Sequence, residues 1–125
     1  MNIYKDIAIV LSGHDNACCR SNSLRNFLLI IKSNNFINSQ NITNFKVTLF
    51  VHPSEFTFIY KLVCKIFFTN FKVVNRCKSL EKYKIIFGCF SSVFVGLKNK
   101  SLHIYDPTLK DEYIHKNFPL AKVLK

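Results

Sequence analysis

Two short groups of residues in this chain carry side chains suited to holding an anion: His52-Pro53, and the hydroxyl pair Ser91-Ser92 that follows Gly88. An imidazole beside a helix amino end is disfavoured in its charged form until an anion arrives. With a phosphate in place it can donate a hydrogen bond or a proton to a phosphate oxygen. Serine hydroxyls and backbone N–H groups at a helix start can converge on the same anion. Each group also has a plainer reading, His52 as a turn residue before proline and the serines as amino caps. The two signals together weigh more than either, because both follow an apolar, strand-like run.

Other candidates are weaker. His14-Asp15 sits just after the first apolar run, where it can supply a loop base or serve as an exposed turn. His103 falls inside an apolar run and His115 near the carboxyl end. Five cysteines, Cys18, Cys19, Cys64, Cys77 and Cys89, match neither a disulfide framework nor a CxxC metal knuckle. Reduced, buried thiols are expected, and with the histidines dispersed no metal site is expected. Asp111-Glu112 lacks a nearby partner, so no carboxylate dyad is assigned there. Neither GxGxxG nor GxxxxGK[ST] is present, which removes the dinucleotide fingerprint and the P-loop.

The elements that must position these residues follow from apolar spacing. Residues 7–11 form a continuous apolar run closed by Ser12-Gly13, which reads as a buried strand. Leu24, Phe27, Leu28 and Ile31 then fall on one helical stripe, with Ser21 or Ser23 as cap, and the asparagine-rich residues 34–44 read as a surface connection. Residues 47–51 form a second strand stopped by Pro53. Phe56, Ile59, Val63, Ile66 and Phe67 repeat at helical spacing, with Phe58 and Leu62 widening the stripe, and predict a deeply buried helix. Residues 71–74 are a third strand, 79–82 a helical turn and 83–87 a fourth strand, with Gly88 permitting a tight corner. Ser91-Ser92 can cap a short helix to Leu97, residues 101–105 are a fifth strand, and residues 110–125 read as a helix with a loose tail. Strands alternating with helices imply an α/β domain with a parallel sheet flanked by helices. In such a sheet the strand-to-helix corners share one edge, so His52 and the serines are expected to face one phosphate.

Composition bounds the partners. With 125 residues the chain is one domain at most, and 49% apolar residues with 13 Phe exclude a disordered chain. A formal charge of +11 comes mostly from scattered lysines, the arginines being Arg20, Arg25 and Arg76. Such a field attracts phosphates, nucleic acid and anionic membranes without choosing between them. The amino end lacks a leader pattern and no apolar run has the length of a span, so a cytoplasmic protein is expected, with contact at the inner membrane face.

Val51-His52-Pro53 followed in order by Phe90-Ser91-Ser92, with Leu80-Glu81-Lys82-Tyr83 leading into the second of these strands, resembles the bacterial sialyltransferases of two-domain GT-B architecture. The lipooligosaccharide sialyltransferase and capsular polysialyltransferase families are the ones in question. The likeness extends over residues 7–109 and is firmest over 47–106. It implies a Rossmann-like, carboxyl-terminal nucleotide-binding half that takes a CMP-sialic acid donor in surface glycan synthesis. On this resemblance His52 contacts the CMP phosphate and assists its departure, while Pro53, Ser91 and Ser92 complete the phosphate site. The implied reaction is metal-independent, needs no cofactor and inverts the sugar as a glycan acceptor hydroxyl attacks. The family's acidic pair followed by glycine, which would deprotonate the acceptor, is not in this sequence. A truncated form is therefore expected, or a piece that works with another chain or as a homodimer. The alternative is a small basic module, without enzymatic activity, for nucleic acid or anionic membrane.

Overall fold

The computed structural model describes residues 5–11, 23–40, 45–52, 57–68, 71–75, 80, 83–88, 101–105, 110–119 and 121–124. Its elements are β1 (Lys5–Val10), α1 (Ser23–Ser39), β2 (Phe45–Phe50), α2 (Thr57–Phe67), β3 (Phe71–Val74), β4 (Ile85–Gly88), β5 (Ser101–Ile104), α3 (Asp111–Asn117) and β6 (Lys122–Val123). The strands pair in the order β3-β2-β1-β4-β5-β6, and every pairing is parallel. This is a Rossmann-like α/β sheet. Parallel strands are covered on both faces, which is why the apolar runs are continuous rather than alternating.

Side-chain alternation divides the core in two. Ile7, Ile9 and Leu11 of the β1 region join Val47, Leu49, Val51 and Phe87 on the face covered by α1 and α2. Ala8, Val10, Phe50, Ile86, Leu102 and Ile104 point to the other face, where Ile114 of α3 and Tyr83 close over them. Right-handed crossovers produce this division, because the chain steps one way from β1 to β3 and the opposite way from β4 to β6.

Several elements depart from the expectation. The first helix does not stop before the asparagine-rich stretch but runs through Asn34, Asn35 and Asn38 to Ser39. Burial of Ile37 and the packing of Phe36 against Phe87 and His103 outweigh the weak helix propensity of asparagine. The stripe facing the sheet is Asn26, Leu29, Ile30, Ser33 and Ile37, whereas Leu24 and Ile31 are exposed. The second helix is not deeply buried. Only Tyr60 and Cys64 are buried along α2, and Phe58, Leu62 and Ile66 are 67%, 55% and 61% exposed. A helix lying on one side of a sheet can bury only the arc that faces it, whatever the rest of its surface contains. Gly88 is not a corner but the last residue of β4, level with Val10 and Ile104. The helix expected near the carboxyl end is α3, but the loose tail expected after it is instead an edge strand, fastened by the Leu124 N–H donating to the Ile104 carbonyl at 2.7 Å. The turn at 79–82 and the helix from Ser91 to Leu97 lie wholly or largely outside the described residues.

Two polar residues on the inner stripe of α1 behave differently. Asn26 Nδ2 donates to the Tyr60 hydroxyl at 3.2 Å, tying α1 to α2, and the Phe27 ring packs on Tyr60 at 5.0 Å. The Ser33 hydroxyl is fully buried and has no hydrogen-bond partner among the described residues. A desolvated hydroxyl without a partner is destabilising, and alanine is the better helix former. Ser33→Ala is therefore expected to raise stability by about 1 kcal/mol, read as a higher urea midpoint with an unchanged slope. A lower midpoint would show that the hydroxyl has a partner when folded.

Candidate functional site

The strand ends form one level rim. Val10 of β1 is in register with Phe50 of β2 on one side and Gly88 of β4 on the other. Phe50 is in turn level with Val74, and Gly88 with Ile104. The ladder continues one residue further, with Leu11 N–H donating to the Phe50 carbonyl at 3.0 Å, Val51 N–H to Val74 at 2.8 Å and Tyr105 N–H to Gly88 at 2.8 Å. Leu11 and Val51 are buried, so the floor of the rim is apolar and fixed.

His52 is the next residue after Val51 and is exposed. It stands at the carboxyl end of β2, as its place after an apolar run predicted. The strand order reverses at β1, since β2 and β3 lie to one side and β4, β5 and β6 to the other. At such a point the connections from the two central strands leave toward opposite faces and open a crevice between them, where ligands of open α/β sheets bind. Adjacent strands are ~4.8 Å apart, so the ends of β2 and β4 are separated by roughly 10 Å across β1. That is a span one nucleotide can bridge. The helices that return from β1 and β2 begin on this rim, and neither α1 nor α2 carries an acidic residue in its first turn.

Of the other predicted site residues, Pro53, Ser91 and Ser92 lie outside the described residues, as do His14 and Asp15. Gly88 brings the chain to the rim immediately before the segment that contains the serines.

His103 sits apart from the rim. It is 2% exposed on β5, with the Phe36 ring 4.6 Å and the Phe87 ring 4.9 Å from its own. Burial pushes its pKa down to about 4, and the charge of Lys122 adds to the effect. It is a neutral core residue at pH 7. His115 is exposed on α3, its Nε2 3.1 Å from the Ala121 carbonyl oxygen. Asp111 and Glu112 are exposed in the first turn of α3, where carboxylates complement the helix dipole. Burial raises the Cys64 thiol to about 11, so it is protonated and unreactive at neutral pH. Among the described residues no group of three His, Cys, Asp or Glu side chains is placed to hold a metal, and no helix is long and apolar enough to cross a membrane. Comparison with protein-family models, with curated proteins and with solved structures finds no match to this chain.

Proposed function

We propose that the chain binds a nucleotide phosphate at the carboxyl rim of its sheet, as the donor-binding half of a sialyltransferase-like glycosyltransferase that takes CMP-sialic acid and serves a surface glycan. The observation that carries this reading is the position of His52, exposed on the rim beside the strand at which the sheet order reverses. The nucleotide identity and the sugar come from the likeness in Val51-His52-Pro53 and Phe90-Ser91-Ser92.

In this reading His52 donates to a phosphate oxygen of the donor and stabilises the charge that grows there as CMP departs. Ser91 and Ser92 add hydrogen bonds to the same phosphate. The carboxylate that takes the acceptor proton is not among these residues, so the chain binds donor while transfer draws its base from another chain or segment. The domain would work in the cytoplasm, next to the inner membrane.

Calorimetric titration with CMP and with AMP at constant salt tests the reading. CMP is expected to bind more tightly than AMP, and His52→Ala to weaken CMP binding about tenfold, the equivalent of one hydrogen bond to a charged group. Unchanged far-UV circular dichroism of the variant verifies that the lost affinity is not lost folding. Equal affinity for CMP and AMP, or an unchanged CMP affinity in the variant, would overturn the site. A steep salt dependence of binding to DNA would instead favour a nucleic-acid module.

A further inference from the structure

The outer surface of the α1–α2 layer is not accounted for by a nucleotide site on the rim. Phe58, Leu62 and Ile66 follow one another at intervals of four along α2, with Ile59 beside them, on the side of the helix opposite the buried pair Tyr60 and Cys64. On α1, Leu24 and Ile31 are exposed two turns apart. Between the helices runs an apolar groove of about 470 Å³, floored by Phe27 and Ile30 and edged by Val63 and Phe67. A contiguous apolar surface of this kind marks an interaction site rather than ordinary scatter.

Charge says what covers it. Neither α1 nor α2 contains an aspartate or a glutamate, while Lys61 and Lys65 are exposed alongside the apolar ridge of α2. The whole chain carries +11. A second copy laid on this face would bring like charges together, and nucleic acid offers no hydrocarbon to Phe58, Leu62 and Ile66. An anionic bilayer offers both hydrocarbon and negative charge. A helix with an apolar face and flanking lysines lies in the plane of such an interface, its apolar side chains among the acyl chains and its ammonium groups at the headgroups.

We propose that the exposed ridge of α2, with Leu24 and Ile31 of α1 beside it, docks this domain on an anionic lipid bilayer. The proposal is independent of what occupies the rim. The sequence contains no tryptophan, so Leu62→Trp supplies a single reporter at the centre of the ridge. Its emission is expected to shift to the blue on addition of phosphatidylglycerol–phosphatidylcholine vesicles, and not with phosphatidylcholine alone. In flotation assays of the full chain, Lys61→Glu/Lys65→Glu and, separately, Phe58→Ser/Ile66→Ser should each lower the bound fraction on anionic vesicles at least tenfold. These positions are solvent-exposed, and unchanged circular dichroism verifies the fold. An emission maximum unmoved by anionic vesicles would overturn the proposal. So would both double variants floating like the wild type, or concentration-dependent dimerisation abolished by Phe58→Ser/Ile66→Ser.

Discussion

Lowering the pH from 7 to about 4 is expected to remove about 3 kcal/mol of folding stability through His103 alone. The unfolded imidazole titrates near 6.5, whereas burial between Phe36 and Phe87, aided by the Lys122 charge, holds the folded one at about 4. Between these values the unfolded chain binds a proton that the folded chain refuses. Stability from this source is complete above about pH 6.5, falls as the pH drops through the window, and stops falling below about 4. A domain of this size has roughly 5–15 kcal/mol in total, so the loss is a large share. Urea titrations at pH 7, 6, 5 and 4.5 give the slope, and His103→Gln, which cannot titrate there, should flatten it. The comparison between the two proteins cancels the acid response of the carboxylates they share. An NMR titration midpoint near 6.5 for this ring would show it to be solvated.

The buried imidazole also marks where the sequence was readable and where it was not. Its place inside a strand was legible, because parallel strands covered on both faces appear as largely apolar runs, and those around Ile9, Leu49 and Phe87 became strands, as did the shorter runs around Val73 and Leu102 that Lys72 and His103 interrupt. What lies opposite each strand was not. The polar members of the inner stripe of α1 conceal that stripe: Asn26 is buried because its amide reaches Tyr60, 34 residues away, and no local pattern announces such a bond. Lys122-Val123 forms an edge strand of two residues, too short for any periodicity, and is defined by its pairing with His103 and Ile104. The place of His52 on the rim was readable from the strand before it. The serine half of the expected phosphate site lies outside the described residues, so the likeness in sequence still carries it.

The sharpest test of this division compares two phenylalanines that the sequence presents alike. Phe58 and Phe87 both lie in strongly apolar segments, and spacing alone assigned both to the core. In the structure Phe87 is fully buried on β4, its ring edge-on to Phe36 at 5.8 Å and stacked on His103 at 4.9 Å, while Phe58 is 67% exposed. Truncating Phe87 removes apolar burial and leaves a cavity at the centre of the sheet, where the neighbours on β1 and β5 are fixed by the ladder. Phe87→Ala is expected to cost about 3–5 kcal/mol, enough to leave a marginal domain partly unfolded at room temperature. Phe58→Ala empties nothing, since its side chain already faces water, and should change stability by less than about 0.5 kcal/mol. Urea denaturation followed by far-UV circular dichroism reads both. If the two substitutions cost the same, α2 is packed on its outer side in solution, and neither the free ridge nor the lipid surface assigned to it would stand.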